Sequence, residues 1–332
     1  MNHRTLRVGM LLVVLVVVGL ASLAIGPVRL SGPEVIGGLF EGRSGGPSRA
    51  STIIWELRLP RVLLAVMVGS SLGAAGAAYQ GLFRNPLADP FVIGASSGSA
   101  LGATLVIVGG GTAGALGFGA VPLGGFVGAV AAAGLVYAST AWWGRMPLVG
   151  LLLAGSAVSS CLGALVWLLM VLHDEDLAKI VGWLMGSLAA RGWPAVVAGW
   201  PYVVAGVAGL GLLSRPLDAL SLGEEPAMAL GLPIRRMTGA IVAAASLATA
   251  AAVAMAGVIG FVGLIAPHMA RGFVGSRHRY LIPSSGLGGA ILLLLADDLA
   301  RTVAAPIELP VGVLTAMLGG PFFLLILGTR AR

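Results

Sequence analysis

The acidic residues of this sequence that could handle protons lie at two places. Asp297 and Asp298 stand four and three positions before Arg301, a spacing that brings acids and a base together on one face of a helix. Asp89 lies in a stretch between two prolines, which cannot continue a helix. Acids inside a membrane can relay protons, but the spacing at 297–301 favours a structural ion pair.

A site for ATP or for a metal ion finds little support in the sequence. A phosphate-binding loop needs Gly-Lys-Ser/Thr after a glycine-spaced turn, whereas the only lysine, Lys179, lies in Asp-Leu-Ala-Lys-Ile. If ATP drives this protein, another chain must bind it. The single cysteine, Cys161, excludes an internal disulfide. The histidines are scattered over different segments, so no cofactor or metal is expected on this chain.

The segment 214–237 is predicted to lie on the cytoplasmic side and to carry a short helix outside the membrane. Glu224 and Glu225 suit a helix N-terminus, Pro226 suits the first turn, and Gly231 suits the C-terminal cap. Apolar residues of this helix could fit a groove on a partner protein; they are Ala227, Met228 and Leu230. A solvated loop with a surface helix is the alternative, which the pattern leaves open.

Two prolines interrupt the chain after the second apolar run, in Asn85-Pro-Leu-Ala-Asp-Pro. Proline ends a helix and forces the preceding residue into extended geometry. Irregular backbone at membrane depth is tolerated where it is buried in protein or lines a watery path. The segment 85–90 is therefore a candidate gate, with an ordinary turn between helices as the alternative.

Membrane helices must position these segments. Of 332 residues, 58% are hydrophobic and 10% are charged, whereas soluble domains carry roughly 25% charged residues. The 52 glycines suit closely packed membrane helices, and Gly69, Gly73 and Ala77 predict one such packing stripe. The formal charge of +7 is explained by arginines in short loops, which orient helices, rather than by nucleic-acid binding.

Apolar runs long enough to cross a hydrocarbon core of ~30 Å predict about ten membrane helices. They are 8–28, 62–83, two helices within 90–144 joined by a glycine-rich turn near 109–119, 146–172, 192–214, one full and one short helix within 237–271, 280–296 and 309–329. The first run exceeds the apolar core of a signal peptide and is interpreted as a retained helix. Twelve of the 20 basic residues fall on the side of both termini, which predicts cytoplasmic termini.

Three segments resemble the FecCD-type family of iron-chelate and cobalamin permeases. They are 58–103, with RLPR and NPLADP, 257–271, with GFVGLIAPHMAR, and 295–323, with LADDLAR. The resemblance runs in order over nearly the whole chain. It implies an all-α, polytopic membrane protein with the permease fold of a type II ABC importer. A single transmembrane permease domain would cover 1–332, with a coupling-helix loop at 214–237.

The resemblance also implies partners. In this family two permease subunits, identical or paralogous, pair around a central path, and two separate ATP-binding subunits dock inside and use ATP and Mg. An extracytoplasmic substrate-binding protein delivers the cargo. The coupling helix that contacts the ATPase matches Glu224, Glu225, Ala227, Met228, Leu230 and Gly231.

Docking and gating residues are carried over from the family position by position. Three arginines match those that contact acidic residues of the binding protein; they are Arg58, Arg61 and Arg301. Arginine suits this role because its planar fork holds a carboxylate bidentately. Two pairs match constrictions of the path: Asn85 with Leu87, and Leu148 with Val149. The second pair departs from the cobalamin relative, in which those positions are small and polar.

The expected function is import of an iron chelate through the bacterial cytoplasmic membrane, by a subunit that is not itself an enzyme. Haem and cobalamin are the alternative cargoes within the family. A proton-coupled secondary transporter is the alternative of another class. It would use Asp89, Asp297 and Asp298 and would need no ATPase.

Overall fold

A computed structural model describes residues 3–28, 30–42, 48–142 and 148–330, which are predominantly helical. Its α-helices are α1 (His3–Ala24), α2 (Gly32–Glu41), α3 (Arg49–Thr52), α4 (Leu59–Leu82), α5 (Ala95–Val108), α6 (Ala120–Trp142), α7 (Leu148–Leu172), α8 (Leu177–Leu184), α9 (Gly192–Leu212), α10 (Ser214–Leu220), α11 (Glu224–Ala229), α12 (Ile234–Ala256), α13 (Val262–Val274), α14 (His278–Thr302) and α15 (Val311–Arg330). Four residues of the charge balance lie outside the described residues, as does the start of the run 146–172; they are Arg29, Arg43, Arg145 and Arg332.

Among the described residues, seven helical runs are long and apolar enough to cross a membrane: α1, the continuous run Arg49–Leu82, α6, α7, α9, α12 and α14. Two shorter apolar helices, α5 and α15, accompany them. The short α13 packs against α4 and α14. Together they account for the ten predicted membrane helices, and the glycine-rich turn between α5 and α6 lies where it was expected.

The predicted run 280–296 is too short, because α14 extends from His278 to Thr302. The charged residues that suggested an end at 297 lie inside the helix, where they form ion pairs. A charge that is paired in this way can be buried. The helix therefore continues for another turn and a half.

The predicted start of the second span, at 62, is also wrong. The helix is continuous from Arg49 and contains a π-helical segment, Ile53–Arg58. The N–H of Leu59 donates to the carbonyl of Ile54, five residues earlier. Pro60 follows directly and has no backbone N–H to donate. The irregular hydrogen-bond pattern of this segment therefore lies next to a residue that cannot form a helical hydrogen bond.

The core lies where α4 meets α13 and α14, and there the backbones touch. A Cβ atom on Gly69 would lie 2.4 Å from the carbonyl oxygen of Gly289, and one on Gly73 would lie 2.1 Å from that of Ser285. Only glycine permits this approach. The predicted packing stripe is confirmed, and we call this contact the glycine seam (Gly69, Gly73 and Gly76 facing Gly263, Ser285 and Gly289).

Candidate functional site

One end of the glycine seam carries a bidentate ion pair. Arg61 donates from Nε to Oδ2 of Asp297 at 2.9 Å and from Nη2 to Oδ1 at 3.0 Å. Its Nη1 donates to Oε2 of Glu308 at 2.8 Å. Asp297 is 1% exposed, so the two charge-assisted bonds offset the cost of burying its carboxylate.

Arg301 completes the predicted pair on α14. It forms ion pairs with Asp298 and, at 3.2 Å, with Asp297. Its Nη1 donates to the carbonyl of Ile25 at 3.1 Å, just beyond α1. The Ser22 hydroxyl, in the last turn of α1, donates to Asp298. The structural ion pair predicted at 297–301 is therefore confirmed, and it also holds the end of α1.

Arg58 lies beside this pair and binds backbone rather than carboxylate. Its guanidinium donates to the carbonyl of Leu23, in the last turn of α1, and to that of Val28, beyond the end of α1. Carbonyl groups at the end of a helix have no donor within their own helix, and here the arginine is the donor. We call the whole group the arginine cluster (Arg58, Arg61 and Arg301 with Asp297, Asp298 and Glu308).

The structure thus brings together the three arginines predicted to dock a binding protein, but it places them inside the protein. Arg58 is 4% exposed and Arg301 is 3% exposed, and the Arg61 side chain is 13% exposed. A partner's carboxylate would have to compete with acceptors these arginines already hold. Their docking role stays a prediction.

Sequence reasoning did not find two members of this network, Ser22 and Glu308. Ser22 lies 276 positions before Asp298, and Glu308 lies 247 positions after Arg61. A helical spacing rule reaches only three or four positions. No local signal could therefore have identified either contact.

The acids proposed for a proton relay do not form a chain. Asp297 and Asp298 belong to the arginine cluster, whereas Asp89 lies beyond the opposite end of α4, where its Oδ1 accepts the N–H of Phe91 at 2.9 Å. About twenty residues of α4 separate Arg61 from that end, which corresponds to roughly 30 Å. The described carboxylates therefore offer no continuous route for a proton.

The opposite end of the molecule carries α11, which begins with Glu224 and Glu225. Gly231 has a φ of +77°, its N–H donates to Met228 at 2.8 Å, and the N–H of Leu232 donates to Ala227 at 3.1 Å. These two bonds form a Schellman motif, which ends a helix at a left-handed glycine. The short helix and its glycine cap are confirmed.

The side chains of α11 divide into an inner and an outer set. Ala227 is fully buried and packs in one cluster with Phe83 and Leu220. Met228 and Leu230 are 55% and 71% exposed, and Leu222 just before the helix is 69% exposed. Large apolar side chains on a protruding turn are the kind of surface that a partner protein covers.

The turn between α4 and α5 lies at this same end. The Oδ1 atom of Asn85 accepts the N–H of Leu87 at 3.0 Å, which stabilises the turn. Leu148, at the start of α7, is buried in one cluster with Ala88, whereas Val149 is 63% exposed. The structure therefore places Leu148 in the same buried cluster as the turn residue Ala88, and the gating role of the two pairs stays a prediction.

Comparison with known proteins gives this arrangement a context. The haemin transport system permease protein HmuU of Yersinia pestis is 41% identical, over 100% of this chain and 99% of its own length. An Fe(3+)-citrate import permease of Bacillus subtilis, YfmE, is 37% identical over 98% and 96%. A cobalamin import permease of Halobacterium salinarum, BtuC, is 44% identical over 86% of this chain and 76% of its own length.

A solved structure shares the whole architecture. It is described as an inward-facing, metal-chelate type ABC transporter, is 34% identical, and aligns with a TM-score of 0.83 over 97% of this chain and 98% of its own. The model of the FecCD transport family matches residues 13–329. This chain therefore belongs to the FecCD transport family.

Proposed function

We propose that this chain is the permease subunit of an ABC importer that carries an iron chelate across the bacterial cytoplasmic membrane. The observation that carries the proposal is α11: a capped helix with exposed apolar side chains, placed beside the turn after α4. Such a helix offers a separate ATPase a surface from which movement can reach the membrane helices. The family consists of transport permeases, which agrees with the absence of a phosphate-binding loop from the sequence.

The proposed assembly joins this chain to four other protein subunits. A second permease subunit, identical or paralogous, pairs with this one, two ATP-binding subunits use ATP and Mg, and an extracytoplasmic binding protein supplies the cargo. The lipid bilayer surrounds the chain, which forms one permease domain over 1–332 with its coupling loop at 214–237. Both termini lie in the cytoplasm, on the side of α11.

The choice of an iron chelate rests on what the relatives are said to carry. One of the three relatives described above is named for Fe(3+)-citrate, and the solved structure is described as of metal-chelate type. Haem and cobalamin are the competing cargoes, since permeases named for each show comparable identity. The same chain could serve any of them if the binding protein makes the choice.

The remaining site residues receive roles within this proposal. Asn85, Leu87, Leu148 and Val149 narrow the cytoplasmic end of the path. Arg58, Arg61 and Arg301 orient the binding protein, through the part of Arg61 that stays exposed and through the backbone that the other two arginines hold in place. Exposed ion pairs are worth only ~0–1 kcal/mol each, so these contacts set docking register more than affinity.

Reconstituted transport tests the proposed function. Vesicles that contain the permease, its ATPase and the binding protein are offered ferric citrate, haemin or cobalamin, with ATP on the side of α11. We expect ATP-dependent uptake of ferric citrate, whereas uptake of haemin or cobalamin alone would identify the alternative cargo. We expect this uptake to persist when an ionophore collapses the proton gradient. Uptake that needs the gradient and no ATPase would instead establish the secondary transporter.

Exchanging the two acids of α11 tests the coupling surface. Glu224→Lys with Glu225→Lys places two positive charges at a helix N-terminus, which opposes the helix dipole. The helix frays and its surface charge is reversed, so we expect the amount of co-purified ATPase to fall about tenfold or more, since like-charge contacts can cost several kcal/mol.

A matched control carries the same change at the far end of α7. Asp174→Lys with Glu175→Lys also reverses two exposed acids and should leave co-purification of the ATPase unchanged. Equal co-purification of the α11 variant and wild type would remove the coupling role from these acids. A loss in both variants would point to a general effect of charge.

A further inference from the structure

His278 joins the start of α14 to α10. It is the first residue of α14 and is 2% exposed. Its Nδ1 lies 2.7 Å from Oδ1 of Asp218, in α10, and its backbone N–H donates to the same oxygen at 2.8 Å. Asp218 therefore caps the N-terminus of α14 from another helix, a place where a negative charge is favourable.

The other edge of the imidazole lies against the last turn of α4. A Cβ atom on Gly81 would be 2.2 Å from Nε2 of His278. Any residue larger than glycine would displace the ring. His278 is thus wedged between α10, which leads to α11, and the end of α4, which leads to the turn at Asn85.

A second contact joins the same two segments. Gly223, the residue before α11, approaches the guanidinium of Arg84, since a Cβ atom there would lie 3.6 Å from Nη1. Arg84 begins the turn after α4 with a φ of +51°. Leu217 and Leu220 of α10 are fully buried in the cluster that includes Leu82. The segment α10–α11 therefore contacts the end of α4 from two sides.

The apolar contacts and the hydrogen bonds between these helices differ in how well they can transmit a movement. Apolar side chains can slide over one another at little cost, because the hydrophobic effect is non-directional. A hydrogen bond weakens steeply when its angle changes. The Asp218–His278 contact is thus the one that fixes the register of α10 against α14 and α4.

We propose that Asp218 and His278 are positioning residues that carry the movement of α11 to the turn at residues 83–94. When an ATPase subunit displaces α11, Asp218 moves with α10 and pulls the imidazole, and the imidazole moves the end of α4 at Gly81. This inference rests on the proposed function, because it assumes an ATPase that acts on α11. In this proposal, Asp218 and His278 determine how many chelates are moved per ATP. They take no part in binding the cargo or in docking the ATPase.

Two substitutions of His278 separate the hydrogen bond from the volume of the ring. In His278→Asn the amide nitrogen takes the place of Nδ1 and can still donate to Asp218, whereas in His278→Gln the amide lies nearer the position of Nε2. His278→Asn keeps the bond to Asp218 but loses the ring edge that lies against Gly81, so in the reconstituted complex we expect it to lower the number of chelates moved per ATP by about two- to threefold. We expect His278→Gln and Asp218→Ala to lower that number about fivefold or more, with normal co-purification of the ATPase.

Gly81→Ala offers an independent test, because it disturbs the ring from the side of α4 and leaves both Asp218 and His278 in place. It should also lower the number of chelates moved per ATP, whereas Gly272→Ala, on α13 with nothing near its Cβ position, should not. If Asp218→Ala does not assemble, Asp218→Asn keeps an acceptor oxygen and should give an intermediate value. The proposal is overturned if His278→Gln couples as well as wild type, or if His278→Asn fails as badly as His278→Gln.

The same experiment distinguishes a failure of the proposed function from a failure of the role given to Asp218 and His278. If the wild-type complex moves no cargo with ATP, the proposed function fails and the pair has no coupling to perform. If wild type transports and every variant keeps its ratio of cargo to ATP, only the role of Asp218 and His278 is rejected.

Discussion

Arg301→Met is expected to lower the free energy of unfolding by about 3 to 5 kcal/mol, the usual cost of removing one partner from a buried ion pair. The change leaves Asp298 and Asp297 short of a positive charge in a buried place, and it removes a donor from the carbonyl of Ile25. Methionine keeps much of the side-chain volume, so the loss reports on charge and hydrogen bonding. Titration with SDS in mixed micelles measures it.

Two further variants identify the cause of that loss. Arg236→Met removes an exposed arginine of α12 and should change the free energy of unfolding by less than about 0.5 kcal/mol. Adding Asp298→Asn to Arg301→Met removes the uncompensated charge and should recover part of the stability. If the single variant is as stable as wild type, the arginine cluster is not what holds α1 against α14.

Gly73→Ala is expected to destabilise the chain by about 3 kcal/mol, near the upper end of the usual cost of overpacking. The added methyl group would meet the Ser285 carbonyl at 2.1 Å, and backbone cannot rotate away as a side chain can. The two helices must therefore separate, and contacts on both sides of Gly73 along the glycine seam weaken. SDS titration again gives the free energy.

Gly134→Ala is the matched control, since Gly134 lies within α6 and has nothing within 4 Å of its Cβ position. Alanine is favoured over glycine in a helix by up to about 1 kcal/mol, so this variant should be unchanged or more stable. Opposite signs at the two positions would show that close approach, and not helix propensity, makes glycine necessary in α4. A stable Gly73→Ala variant would contradict the packing described above.

The features that could be predicted from the sequence are those decided by local chemistry. A membrane helix follows from the length of an apolar run, so the prediction of about ten spans agrees with the seven long apolar helices and the shorter ones that the described residues form. Gly231 ends α11 because the residue after the helix must adopt a left-handed conformation. Gly69 and Gly73 are four positions apart, which by itself predicts that they lie on one face of a helix. Asp298 and Arg301 are three positions apart, so their ion pair could also be predicted.

The features that could not be predicted depend on distant partners. Within α14 the Asp297 carboxylate is neutralised by Arg61, 236 positions away, as well as by Arg301, and the partner in α4 could not be read from the local sequence. Asp218 and His278 are 60 positions apart, and neither has a distinctive neighbour in the sequence. The short α2 was also missed, although Ser31 and Glu34 form a capping pair three positions apart that could have indicated it.

The uneven packing of the described helices determines where this chain can accept a larger side chain. Most residues of α4 are buried, and at Gly69 and Gly73 the helix meets the backbone of α14, so added volume there has no space to fill. Side chains of α7 such as Trp167, Val171 and Leu172 have most of their surface uncovered. Apolar side chains of other sizes therefore fit on the α7 face, and the lipid or the subunit that covers this face sets the limit.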